Sequence, residues 1–156
     1  MRKLLIILAA VLTSLLIQIE AKAEDSQERY ERYVEQICSE YNCCPELVEA
    51  IIEHESHWDP KAKNKSCKGL MQINEKFHKE RMKKLNVQSL YNPYGNILVG
   101  VDYIMELAEK YEDIGTVLNI YNAGNKGLEL AKQGKYLSYT KWIIKRSEEL
   151  EKMHGK

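Results

Sequence analysis

The chain has 156 residues, 44% hydrophobic and 29% charged, with 23 basic and 23 acidic side chains and no formal net charge. Without a basic excess there is no electrostatic footprint for nucleic acid. The two signs are interspersed, which also excludes a charged interaction tail.

Arg2 and Lys3 precede an apolar run from Leu4 to Ile19, followed by Ala21-Lys22-Ala23. A basic start, a short apolar stretch and a small-x-small site predict a secretory signal peptide over residues 1–23, cleaved after Ala23. An uncleaved membrane anchor is the alternative, but the run is short for a membrane-spanning helix, and no stable membrane insertion is expected once it is removed. The remaining segment, residues 24–156, carries 20 basic and 22 acidic groups. Its size, about 130 residues, suits one compact core.

Residues 26–41 repeat apolar groups at Tyr30, Tyr33, Val34, Ile37, Cys38 and Tyr41, the three-to-four spacing of a helix. Pro45 suits the first turn of a second helix. That helix is expected to run to about His57 and stop before Asp59-Pro60, because the residue before proline resists the helical region. A polar loop follows from Asp59 to Lys68, then a short helix over Leu70 to Leu85. Asn92-Pro93-Tyr94-Gly95-Asn96 is turn chemistry. Helical spacing returns from Ile97 to Tyr111, from Ile114 to Tyr121, from Leu128 to Lys132 and from Lys141 to Lys152. No strand-like alternation of useful length is present, and the fold class is all-α.

All four cysteines, Cys38, Cys43, Cys44 and Cys67, lie after the leader. An exported chain meets oxidising conditions, so disulfides are expected. Three full pairings exist. Cys44 with Cys67 is favoured because it would tie the second helix to the loop after it, leaving Cys38 with Cys43. Free buried thiols are the plainer alternative. A zinc site lacks the usual cysteine spacing.

The second helix carries the chemistry. Leu47, Val48, Ile51 and Ile52 form its apolar stripe, and Glu55 continues it at i+4 from Ile51 and i+7 from Val48. Glu46, Glu49 and Glu53 fall on the other side and are expected to be solvated. A carboxyl group where the pattern asks for hydrocarbon should have a raised pKa, and the carbonyls of the last helical turn push the same way. A protonated carboxyl near neutral pH is what a general acid needs. The alternative is a core-edge residue paired with a lysine or arginine. His54-Glu55-Ser56-His57 spaces its histidines three apart, whereas the zinc-protease motif needs i and i+4. A metal site is therefore disfavoured, and His54 and His57 are expected at the rim or in solvent.

Glu55-Ser56 at a helix end, Gly69-Leu70-Met71-Gln72 and Tyr121-Asn122-Ala123-Gly124 together resemble the catalytic domain of soluble lytic transglycosylases. Trp58-Asp59-Pro60, Asn92-Pro93, Asn96-Ile97 and Gly100 extend the resemblance, which covers about residues 46–124. It implies a lysozyme-like, predominantly helical domain with a substrate groove. It implies Glu55 as the single catalytic acid/base, with Ser56 fixing the local backbone. Gly69, Met71, Gln72, Tyr121 and Asn122 would bind substrate, with Gly69 letting its neighbours approach the sugar chain. Ser66 is the natural candidate for the family's loop serine, although Asn64 could take that place.

The implied reaction is cleavage of peptidoglycan between N-acetylmuramic acid and N-acetylglucosamine, giving a 1,6-anhydro end and needing no metal or cofactor. The expected partner is the glycan strand, not nucleic acid. The expected state is a monomer, secreted or held in the cell envelope. A hydrolytic muramidase of the same fold and a noncatalytic glycan-binding protein are the rival readings.

Overall fold

The structure is a computed structural model and describes residues 26–156. The expected signal peptide, residues 1–23, lies outside the described residues. The chain divides into two compact units, residues 1–32 and residues 33–156. In the first, the described residues are helical, with Gln27 Nε2 donating to Glu31 Oε1 one turn on, at 2.8 Å. The account below concerns the second.

In it, helix α1 covers residues 33–41, where the sequence periodicity predicts a helix, and Val34, Ile37 and Cys38 are buried. Helix α2 is Pro45–Ser56, with proline in its first turn. It stops one residue earlier than expected because His57 adopts a left-handed conformation, φ 49°. Trp58 follows at φ 65°. Two consecutive left-handed residues reverse the chain before Pro60 is reached.

The segment after α2 departs from the expected loop-then-helix. Lys63–Asn64 (β1), Cys67–Lys68 (β2) and Ile73–Asn74 (β3) form a small antiparallel sheet in the order β1-β2-β3. Asn64 pairs with Cys67, and Cys67 with Asn74. Each strand has two residues, too short for alternation to register in a sequence. Helix α3 therefore starts at Glu75, not Leu70, and ends at Lys84. Its start is fixed by Asn74, whose side chain accepts from Lys76 N.

Helix α4 is Pro93–Lys110, so residues 93–96, expected as a turn, are instead its first turn, where proline at the first helical position costs no hydrogen bond; α5 is Ile114–Ala123, α6 Asn125–Lys132 and α7 Ser138–Met153. Asn92 and Asp113 cap α4 and α5 by accepting main-chain N–H bonds in their first turns. α2 packs on α7, and α5 on α4, α6 and α7. The core is aliphatic, built from Ile51, Ile52, Leu70, Ile97, Leu118 and Ile143, all fully buried.

The α2–α7 packing corrects one expectation. Glu46 and Glu49 are not solvated: they are 1% and 5% exposed. α7 covers the helix face that bears them, so α2 is buried on two sides. Lys156 Nζ donates to Glu46 Oε1 at 2.7 Å, and His154 Nδ1 lies 3.0 Å from the same oxygen. Burial alone would raise the Glu46 pKa, but the bonds from Lys156 and His154 outweigh it and hold the group at about 2. Glu53, on the same side, pairs with Arg146 Nε at 2.9 Å.

Cys38 and Cys43 are disulfide-bonded, as expected, with Cα atoms 4.6 Å apart. The expected Cys44–Cys67 bond is not formed, and both thiols are free. Cys44 precedes the first turn of α2, and Cys67 lies in the groove that includes Glu55 from its last turn. A helix of that length separates its ends by roughly 15 Å, far beyond the reach of a disulfide.

Candidate active site

Glu55 and Ser56 close α2. The Ser56 hydroxyl donates to the Ile52 carbonyl at 3.1 Å, using a carbonyl of the last turn and fixing the helix end. Beyond it, the chain returns through the small sheet to Gly69-Leu70-Met71-Gln72. Gly69 has φ +74°, and a side chain there would strike Asn96 and the Leu90 carbonyl. Its lack of a side chain thus serves the packing of this turn against the start of α4, not directly an approach to substrate.

Asn96, 0% exposed, holds the turn. Its Oδ1 accepts from Met71 N at 2.7 Å, and its Nδ2 donates to the carbonyls of Lys68 and Leu90 at 2.8 and 2.9 Å. Met71 is fully buried, and Gly100 of α4 gives its side chain room. The Met71 carbonyl accepts from Tyr121 Oη at 2.8 Å. The phenol thus joins the two motifs, 69–72 and 121–124, while the buried amide ties the first of them to the start of α4. A second buried amide, Asn119, ties α5 to α6 and to the segment leading into α7. It donates to the carbonyls of Gly127 and Lys135 and accepts from Leu137 N and the Thr140 hydroxyl.

These elements enclose a groove of about 890 Å³. Glu55, Gln72, Tyr121 and Asn122 line it together. Gly69 and Met71 lie beneath and support it. Asn64 and Cys67 line the groove, whereas Ser66 is exposed and its hydroxyl accepts from Asn74 Nδ2 at 2.9 Å. Of the two candidates for the loop polar contact, Asn64 is therefore the one facing the groove. A second cavity, about 390 Å³, lies around Leu47, Val101, Ile104 and Ile144 and contains none of the motif residues. Its lining is mainly hydrocarbon, whereas acid, amide and phenol groups converge in the first.

Burial pushes the Glu55 carboxyl up to about 7 from 4.5. The Tyr139 phenol, from α7, opposes this rise as a hydrogen-bond donor to Glu55. The two groups do not meet in ordinary hydrogen-bond geometry, and the buried Tyr139 Oη has no hydrogen-bond partner. Burial, and next the Glu55 charge, raise the Tyr121 phenol well above 10, so it stays a donor. Burial and the same charge raise the Cys67 thiol. Gln72 sits at φ 49°, its Nε2 donating to the Gly69 carbonyl at 3.0 Å, while its buried Oε1 has no partner. An acceptor left open in the groove that also holds a protonated acid is suited to an N–H or O–H of a bound molecule.

His54 is not in the groove; its ring packs edge-on against Tyr139 and Trp142, with centroids 4.8 and 4.9 Å away. His57 is exposed at the helix end.

The sequence reading missed Tyr139 and the far wall of the groove. That wall comprises His78 and Arg81 of α3 with Tyr103 and Glu106 of α4. His78 packs edge-on on Tyr103 at 4.5 Å, and the Arg81 guanidinium lies over the same ring at 5.2 Å. Arg81 also pairs with Asp102 and Glu106. Bonds from Lys110 and then Arg81 hold the Glu106 carboxyl at about 2. The i, i+3 spacing on α3 was the available signal for His78 and Arg81. Tyr139 falls on the same stripe of α7 as Ile143 and reads as core, so nothing local marks it.

The family model for the transglycosylase SLT domain matches residues 32–143. A protein of Enterobacteria phage PRD1 described as a transglycosylase is 31% identical over 87 residues. That match covers 55% of this chain and 31% of the phage protein, so the chain spans about a third of the relative's length.

Proposed function

Because the chain belongs to the transglycosylase SLT domain family, we propose that it cleaves the β-1,4 bond between N-acetylmuramic acid and N-acetylglucosamine in peptidoglycan. Glu55 is the only catalytic carboxyl in this reading. The observation that carries it is a carboxyl held near pKa 7 by burial, in a groove it shares with Gln72, Tyr121 and Asn122.

Protonated Glu55 gives its proton to the glycosidic oxygen, and the C1–O bond breaks with N-acetylglucosamine leaving. The substrate's own N-acetyl group stabilises the positive charge developing at C1. Glu55, now a carboxylate, takes the proton of the same muramic acid's C6 hydroxyl, whose oxygen bonds to C1. The product is a 1,6-anhydro end, and Glu55 returns protonated. General acid/base help of this kind is worth roughly 10²–10⁴-fold, the remainder coming from positioning in the groove.

Two-carboxylate hydrolysis needs a second free carboxylate across the bond. Glu106 is the other carboxyl lining the groove, but Arg81 and Lys110 engage its oxygens. Asp59 accepts from Lys61 N in a turn, and Glu75 pairs with Lys68 in solvent. Those engagements support the single-carboxyl route. A peptidoglycan substrate in turn supports action outside the cytoplasm. Among the described residues no helix is long and apolar enough to cross a membrane.

The test is digestion of purified peptidoglycan with mass spectrometry of the products. The expected product lacks one water relative to the hydrolytic one. Glu55→Gln should abolish release, and Glu53→Gln, whose carboxylate is tied to Arg146, should leave it nearly unchanged. Hydrated ends, or lysis by a folded Glu55→Gln protein, would overturn the proposal.

A further inference from the structure

We infer that Phe77 is a saccharide-stacking residue of the groove and sets its preference for extended chains of β-linked N-acetylhexosamines. The inference rests on the reading above, that the groove holds glycan.

Phe77 is the sole phenylalanine of the chain, and it is 75% exposed. The protein builds its core from aliphatic residues and leaves this ring in solvent. Helix periodicity does not require it there. The covered stripe of α3 is His78, Arg81 and Met82, at i, i+3 and i+4. Phe77 stands about 90° from the centre of that stripe around the helix. The rest of the exposed face of α3 is Glu75, Lys76, Lys79, Glu80, Lys83 and Lys84, all charged.

The ring nevertheless lines the groove that contains Glu55, on the wall that continues through His78 and Tyr103. Tyr103 packs against His78 on one side and lies 5.7 Å from the Tyr121 ring on the other. Aromatic contacts therefore run from Tyr121 through Tyr103 to His78, the residue that follows Phe77 in α3. Glu55 and Gln72 supply carboxyl and amide groups to the groove lining, and Phe77 supplies a bare apolar ring. A hexosamine has both surfaces: hydroxyl and amide groups at its rim, and an apolar C–H face that packs flat on an aromatic ring. An exposed ring continuous with a polar cleft fits a sugar unit bound away from the scissile bond.

The experiment uses the full chain with Phe77→Ala, Phe77→Leu and Phe77→Trp, each with Glu55 intact and with Glu55→Gln. Kinetics on peptidoglycan are read in the first set. Calorimetric binding of a soluble β-1,4-linked N-acetylglucosamine oligomer is read in the second. With Phe77→Ala and Phe77→Leu we expect about tenfold weaker binding and an equally raised KM, with kcat little changed. Phe77→Trp should restore both. Since the ring is exposed, thermal unfolding of the variants should match the parent.

Unchanged binding and KM in Phe77→Ala would overturn the inference while leaving the cleavage reading intact. Full recovery with leucine would overturn it too, since a ring face would not be needed. Phe77-dependent binding without any cleavage by the parent protein would sink the cleavage reading and keep this one. A parent that neither binds nor cleaves glycan removes both.

Discussion

Glu55→Gln should make the protein more stable, and increasingly so as the pH rises. The Glu55 carboxyl ionises near 4.5 when the chain is unfolded, but burial holds it protonated to about 7 in the fold. Below pH 4.5 both states carry the proton and the group favours neither. Between 4.5 and about 7 the unfolded chain gains by ionising and the fold does not, so stability is lost as pH rises. Above 7 the loss is complete. A rise from 4.5 to about 7 corresponds to about 3 kcal/mol. Glutamine keeps the shape and does not titrate, so the difference between variant and parent isolates the charge. Urea denaturation of both proteins at pH 4 and pH 8 measures it. The variant's advantage should grow by up to about 3 kcal/mol, or roughly 10 °C in Tm, between those pH values. A difference that stays constant with pH would mean that Glu55 is not desolvated, and the general-acid assignment would lose its physical basis. A difference that shrinks as pH rises would mean that a cation holds Glu55 ionised.

Tyr139→Phe removes the phenol that opposes the rise at Glu55; the alkaline limb of the pH–activity profile should move to higher pH, as read by peptidoglycan release. Asn96→Ala leaves Met71 N and the carbonyls of Lys68 and Leu90 without their buried partner. It should cost about 3 kcal/mol or more by chemical denaturation and lower activity, although Asn96 does not line the groove. Cys38→Ser opens a loop with a sequence separation of 5 and should cost about 2 kcal/mol. The parent, unfolded without reductant, should titrate as two thiols, Cys44 and Cys67.

The helices were legible because amphipathic spacing is local. Residues 26–41, 97–111 and 114–121 carry their apolar stripes within a few turns, whereas residues 93–96 read as a turn and are the first turn of α4. Glu55 was legible for the same reason: it interrupts a stripe, and the resemblance of three short motifs placed it beside Gln72 and Tyr121. The sequence could not report what arrives from elsewhere in the chain. Glu46 and Glu49 sit opposite the apolar stripe and read as solvated, yet α7 covers them and the C-terminal Lys156 neutralises Glu46. Tyr139 reads as one more core residue until α7 brings it to Glu55. The two-residue strands leave no periodicity at all, and their pairing, not the residue types, turns Asn64 and Cys67 into the groove and Ser66 out of it. Local pattern set which segments fold and which carboxyl is out of place. The solvation of that carboxyl and the identity of its neighbours depend on contacts between distant segments, which form only when the helices pack.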